Sequence, residues 1–483
     1  MKAVSTYLRG IIVPLCLLSL AISPAVSGSD KGTSARDNPA TTLAGIYELA
    51  LEDDLTLQQA RAEYRIGREE RRLGRAGLLP QINASYSMSD ADAESSGFFP
   101  IGGEKVPNQT ERDTDTDRWQ ISLEQPLFDL GAWFQFQRGQ ELSNQARATL
   151  SVAQQDLLLR VVNAYFDVLR ATANLRASKA QESALEGQLD QVRQRFEVGL
   201  VAITEVHEAE AGYDLAVAQR ISDEGELDVS RERLSVLTGR HHGQLWELKD
   251  DFPVRRPDPE TPQGWVEFAR QNNLDIKVAQ YGRGAAQEAM QAARSQHLPR
   301  VNLSLTRSDS ESDIIQRDLI NRTRADFPSD QSQDVIAINV TMPLFSGGRT
   351  SAQRRQAVAR HETQTAFYQG TIRQVTQETR ASYTRVASDV SRSRARARAV
   401  TSAESALEAA ELGYEVGTRN VVDVLNAQQA YFSAVRDYDN SILDYVVSLT
   451  RLKRLAGTLS PQDIYELNEW LEAPREDEED EQE

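Results

Sequence analysis

One passage is written twice in this chain, and the repeat fixes what it can fold into. Leu79-Pro80 returns as Leu298-Pro299, Pro126-Leu127-Phe128 as Pro343-Leu344-Phe345, Phe196-Glu197-Val198-Gly199 as Tyr414-Glu415-Val416-Gly417, and Leu237-Thr238-Gly239 as Leu455-Ala456-Gly457, each about 218 positions further on. Landmarks that keep nearly one offset imply two copies of a single supersecondary unit. Proline then sets the shape of that unit. None occurs between Pro126 and Pro253 or between Pro343 and Pro461, and because proline is excluded from helix interiors, these stretches can hold long helices. Each is interrupted once, at Val198-Gly199 and at Val416-Gly417, so each reads as a very long helix, a glycine turn and a shorter helix coming back. From Ala132 to Phe196 such a helix would extend on the order of 100 Å, deeper than any single-domain core.

The helices carry a seam. Val435, Tyr438, Ile442, Tyr445, Leu449 and Leu452 step by three and four, as do Leu158, Val162, Tyr165 and Leu169, which is the spacing of coiled-coil packing. Arg392, Arg394, Arg396 and Arg398 are spaced by two and fan around their helix, which reads as a solvated face.

Before each long helix lies a pair of segments with period-two alternation. Ile82, Ala84, Tyr86 and Met88 alternate with Asn83, Ser85 and Ser87, and Trp119, Ile121 and Leu123 with Gln120, Ser122 and Glu124. In the second copy Val301, Leu303 and Leu305 alternate with Asn302, Ser304 and Thr306, and Ile336, Ile338, Val340 and Met342 with Ala337, Asn339 and Thr341. Each segment has about the length of a tilted membrane-spanning strand with one apolar and one polar face, although strands of a soluble sandwich alternate in the same way. Polar loops from Asp90 to Arg118 and from Asp309 to Asp334 are expected to join them. Tyr86, Trp119 and Trp133 suit an interfacial aromatic belt.

Four strands cannot close a barrel, and an open sheet edge in lipid leaves backbone groups unpaired. Closure would therefore come from other copies of the chain. Two copies give eight strands and a filled lumen, whereas three give twelve and room for water, so three is the expectation. The fold class expected is mixed and mainly α: a trimeric 12-stranded transmembrane β-barrel, four strands per protomer, continued by a long α-helical coiled-coil barrel.

Lys2 and Arg9, the apolar run from Ile11 to Ile22 and Ala25-Val26-Ser27 before Gly28 read as an export signal. The single cysteine, Cys16, lies inside it, so the exported chain would hold no thiol, and disulfides and cysteine catalysis are excluded. A formal charge of -18 argues against nucleic acid as a partner. Part of it sits in Glu476 to Glu483, an acidic run expected to be a disordered tail.

With these features in place the chain resembles the TolC family of outer-membrane channel proteins. The most specific segments are Arg195 to Val206 (RFEVGLVAITEV) and Tyr414 to Leu425 (YEVGTRNVVDVL), with the Pro-Leu-Phe segments after each strand pair. The resemblance implies an exit duct in the outer membrane of a Gram-negative bacterium, with a periplasmic helical tunnel. Its implied partners are a periplasmic adaptor (membrane fusion) protein, an inner-membrane transporter of RND or ABC type, and outer-membrane lipid. Efflux of small toxic compounds and type I secretion of proteins both remain open as its use. No catalysis, cofactor or metal is implied. The corresponding layout is a signal peptide at 1–27, a flexible segment at 28–42, repeat 1 at 43–252, a Pro-rich linker at 253–262, repeat 2 at 263–457, a C-terminal equatorial segment at 458–472 and the acidic tail at 473–483.

The resemblance also implies a periplasmic gate. Glu205, Tyr414 and Arg419 match the polar links that hold the family's mouth closed, and Asp423 matches a position lining the constriction. One turn further on, a second acid of the common pattern is replaced here by Asn426, which implies three carboxylates in the ring rather than six and weaker cation capture. From a different class, a periplasmic helical scaffold without channel activity also fits the long helices. The five histidines show no i, i+4 zinc spacing, and Asp53-Asp54 or Asp250-Asp251 as an acid–base pair has nothing to support it in so acidic a chain.

Overall fold

The computed structural model describes residues 41–474; the signal segment with Cys16, most of the 28–42 segment and the acidic tail from 475 onward lie outside them. The duplication is visible element by element. The first copy comprises α1 (Leu43–Asp53), α2 (Leu55–Ala76), β1 (Gln81–Ile101), β2 (Glu104–Phe128), α3 (Leu130–Glu197) and α4 (Ile203–Thr238), followed by the short strand β3 (Glu247–Leu248). The second comprises α5 (Pro262–Asn272), α6 (Leu274–Ser295), β4 (Arg300–Asp318), β5 (Thr323–Thr341), α7 (Arg349–Glu415) and α8 (Val421–Ala456); α9 (Pro461–Asn468) and β6 (Leu471–Glu472) complete the chain. The long helices run 68 and 67 residues and both return helices 36, so the proline-free stretches are helical nearly from end to end.

The leading helical region of each copy is two helices. A single residue, Asp54 in one copy and Asn273 in the other, ends the first helix and caps the second, accepting from the amides of Leu57 (2.7 Å) and Ile276 (3.0 Å). A short side-chain acceptor is what such a corner needs, because it replaces the helix hydrogen bond lost at the break.

The strands form one antiparallel sheet in the order β1-β2-β4-β5. Its register puts Ile82 beside Leu123, Leu123 beside Leu305 and Leu305 beside Ile336. The alternating apolar residues of all four strands therefore share one face, and that face is bare: Met88 is 75% exposed, Ile336 76% and Ile338 65%. The opposite face carries rows such as Ser85–Gln120–Ser308–Gln333.

The segments 90–118 and 309–334, expected as polar loops, are strand almost throughout. The ladder runs unbroken from Gln81↔Glu124 to Ile101↔Glu104 and from Arg300↔Thr341 to Asp318↔Thr323. Gly102 and Gly103, both at positive φ (61° and 95°), make a two-residue turn whose twist matches that of its strands. Such a turn lets pairing continue past the end of the apolar band. Beyond the band the same face turns acidic, through Asp90, Asp92, Asp113, Asp115 and Asp117, and Tyr86 and Trp119 sit opposite each other at the change. Tyr86 donates from its hydroxyl to Asp117 at 3.0 Å, as an amphipathic ring at an interface does.

Below the sheet the helix layer repeats the strand order. α2 packs on α3, α3 on α6 and α6 on α7; further down α4 replaces α2 against α3, and α8 replaces α6 against α7. The main core lies at the waist, where Leu157, Leu158, Val161, Val162, Tyr165 and Phe166 of α3 meet α1, Trp265, Tyr445, Ile464 and Leu471. Leu158, Val162, Tyr165 and Leu169 of the expected seam are all buried there. The Tyr165 hydroxyl donates to the Trp246 carbonyl at 2.7 Å, and β3 pairs with β6 alongside. Of the arginines expected on a solvated face, Arg396 instead pairs with Asp437 of α8. No helix among the described residues is long and apolar enough to cross a membrane.

Candidate functional site

Both glycine turns lie at the end of the long helices opposite the sheet, and the structure brings them together. Leu189 and Val192 of α3, Val206 and Ala209 of α4, Ala410 and Tyr414 of α7, and Val421 and Val424 of α8 form one buried cluster at the tip. The turns are built alike. Gly199 and Gly417 adopt φ of 74° and 77°, and the amides three residues past each helix end, Leu200 and Thr418, reach back to the Arg195 and Gly413 carbonyls at 2.9 and 2.8 Å. Only glycine takes that conformation without strain.

Within this frame the two copies differ in side chains. The duplication offset pairs Tyr414 with Phe196, Asp423 with Glu205, Arg195 with Gly413 and Asn426 with Glu208. Tyr414 is buried (6% exposed), whereas Phe196 is 41% exposed. The Arg195 guanidinium lies 4.6 Å from the centroid of the Tyr414 ring. Burial pushes the Tyr414 phenol up; the nearby Arg195 charge pulls it down and the Glu205 carboxylate pushes it up again. Its hydroxyl lies within reach of both Arg195 and Glu205 without a hydrogen bond of good geometry to either.

Glu205 and Asp423 occupy the same place, the third residue of a return helix, where a carboxylate meets the positive end of the helix dipole. Asp423 also closes a capping box: its amide donates to Asn420 Oδ1 at 2.8 Å and its carboxylate accepts from the Asn420 amide at 3.4 Å. Ala202 gives α4 no such cap. Asn426 is exposed one turn further along α8.

Of the residues singled out in the sequence, Glu205 and Tyr414 come together within one chain and Arg419 does not join them. Arg419 is exposed, and its stem lies across Gly413. Arg195, which the motif contains but to which sequence reasoning gave no role, takes the place beside the tyrosine. The signal for it was the repeat itself, since a charged residue standing where the other copy has glycine marks a position where the two turns are not equivalent.

The family model described as "Outer membrane efflux protein" matches residues 46–240 and again 265–458, once for each copy of the repeat. The outer membrane protein TolC of Vibrio cholerae is 32% identical over 461 residues, covering 95% of this chain and 99% of the relative. The alkaline protease secretion protein AprF of Pseudomonas aeruginosa is 30% identical, covering 86% of this chain and 85% of the relative. Among solved structures, the outer membrane protein VceC of Vibrio cholerae superposes with a TM-score of 0.68 at 21% identity, covering 86% of this chain and 96% of that one. A match along both copies, with a fold to suit it, leaves one assignment: this chain belongs to the outer membrane efflux protein family.

Proposed function

We propose that the chain is one third of a trimeric outer-membrane exit duct, opened at its periplasmic tip when an adaptor and an inner-membrane transporter of RND or ABC type dock there. One observation carries this reading. The four strands and the four helices beneath them are layers with the same order, and both layers are unfinished at the same two edges. At one edge stand β1 and α2, whose Leu55, Ile66 and Leu73 are exposed; at the other stand β5 and α7, with exposed Phe367. β1 and β5 run in opposite directions, so β5 of one copy can pair antiparallel with β1 of the next.

The stagger of the apolar band supports a wide ring. The row through Ser85 reaches β5 at Gln333, while the apolar stretch of β5 centres on Ile338, about five residues along. Over three strand spacings this is a tilt of roughly 45°, as barrel closure requires. Twelve strands leave a lumen lined by the Ser, Thr, Asn and Gln face. The family description names efflux and the AprF relative names protease secretion; a passive duct serves either, with cargo set by the transporter below.

The decisive experiment is the mass and conductance of the assembled protein in detergent and in planar bilayers. Three chains and a water-filled conductance are expected; a stable, non-conducting monomer overturns the reading in favour of a scaffold. The orientation of the sheet is tested by a neighbouring pair of substitutions. Ile338→Arg places a charge on the lipid face, at a cost of about 2–4 kcal/mol per copy near the midplane, and assembly in the membrane should fail. Asn339→Arg faces the lumen across from Asn302 and should assemble normally.

At the tip, Glu205, Tyr414 and Asp423 form the gate region, with Arg419 and Asn426 on its exposed side. Three Asp423 carboxylates, one per copy, set the potential where the duct narrows. Asp423→Asn keeps an oxygen for the capping box but removes the charge, so divalent-cation block should disappear while assembly is retained. Asn426→Asp doubles the acid ring and should lower the half-blocking concentration on the order of tenfold. Block unaffected by either change removes these positions from the constriction.

A further inference from the structure

We infer that Arg195 is a positioning residue of the closed tip, acting on Tyr414 through the face of its ring. The inference rests on the gate reading above and adds to it a named clasp between the two copies of the repeat within one chain. Arg195 lies in the last turn of α3 and Tyr414 in the last turn of α7, so their contact ties the first glycine turn to the second. The guanidinium stands 4.6 Å from the ring centroid, well inside the range over which the negative face of an aromatic ring attracts a cation.

Three features make this contact more than incidental. Arg195 is held at the negative end of the α3 dipole, and Glu205 at the positive end of α4, so helix ends place both charges beside the ring. The ring is buried among residues of all four tip helices, and α7 cannot swing outward without withdrawing it from the guanidinium into water. The hydroxyl lies within reach of Arg195 and Glu205 without a hydrogen bond of good geometry to either, so the ring face is the better-formed contact. The clasp runs one way only, because the first copy offers Phe196 and the second Gly413 at the matching positions. A partly desolvated contact of this kind shifts a closed-to-open ratio by roughly five- to thirtyfold per copy.

The test is resting conductance of the full assembled protein in planar bilayers, with oligomer mass measured on each variant. Arg195→Gln and Tyr414→Leu should each raise resting conductance several-fold, and the double variant should exceed neither single by more than a small margin. Tyr414→Phe keeps the ring and should stay clearly less open than Tyr414→Leu, and Arg195→Lys keeps the charge and should recover part of the closure. Additive single effects, or a Tyr414→Phe variant as open as Tyr414→Leu, would overturn the clasp. If Arg195→Gln and Tyr414→Leu both stay closed while Asp423→Asn still relieves cation block, the clasp fails and the gate's location stands. If Asp423→Asn also changes nothing, the gate reading falls with it.

Discussion

Gly457→Ala should prevent the chain from reaching its assembled form, while Gly239→Ala, at the matching position of the first copy, should leave assembly intact. Both glycines end a 36-residue return helix in the left-handed conformation, at φ of 73° and 66°, so alanine costs either site about 1–2 kcal/mol of backbone strain. Their surroundings differ. A Cβ on Gly239 meets nothing within 4 Å, whereas on Gly457 it would stand 2.5 Å from the carbonyl carbon and oxygen of Asn272 and 2.8 Å from the Asn273 nitrogen. Those are backbone atoms at the corner between α5 and α6, and they cannot rotate away. The corner is itself tied to the end of α8, since buried Asn273 donates from Nδ2 to the Leu455 carbonyl at 2.9 Å while its Oδ1 caps α6. Separating the two segments by enough to admit a methyl group breaks that bond and opens the junction, which adds roughly 1–3 kcal/mol of overpacking and the loss of a buried hydrogen bond worth about 1 kcal/mol. Oligomer recovered from membranes, compared between the two variants, measures the difference. Equal recovery would mean that the junction moves more freely than its contacts imply.

The same pair of glycines shows how far the sequence could be read. Their equivalence was visible as a repeated Leu-x-Gly at a fixed offset, and with it the long helices, the glycine turns and the strand pairs, all of which depend on local patterns of proline, glycine and alternation. Their difference was not visible, because it lies in what the other end of the chain brings against them. The lengthened hairpins show a second limit. Polar alternation such as Asp90 to Glu94 opposite Glu111 to Asp115 has no hydrophobic period to announce a strand, and only Gly102-Gly103 signalled that pairing runs to a tight turn. At the tip, the places of Tyr414, Glu205 and Asp423 beside helix ends could be read from the two glycine turns. Arg195 required the third dimension, since nothing local says that the last turn of α3 faces the last turn of α7.

Asp54 is where a residue pair without apparent meaning in the sequence becomes one of the main supports of the fold. Its side chain is nearly buried and meets Arg160 of α3 through two hydrogen bonds of 2.8 Å, while Oδ1 also accepts the Leu57 amide at 2.7 Å. One carboxylate thus joins α1 to α2 and fastens both to the waist. Burial alone would raise its pKa and is the largest single influence, but the Arg160 hydrogen bonds and charge, together with the Leu57 and Thr56 amides, outweigh it and leave the carboxyl below its ordinary value. Asp54→Ala should therefore cost roughly 3–4 kcal/mol, from a stranded arginine and a lost cap; because about a third of the Arg160 side chain is exposed, water offsets part of the penalty. Asp54→Asn keeps the cap acceptor and should cost about half as much. The pH dependence follows from the sign of the shift. A carboxyl depressed in the folded state binds its proton more readily when unfolded, so its contribution is full above the unfolded value of about 3.9 and disappears as pH falls through the folded value. Urea midpoints of wild type should fall more steeply than those of Asp54→Asn below about pH 4, and the two curves should converge in acid. Parallel curves would show that the Arg160 pair contributes no charge-dependent stability and that the cap alone holds the corner.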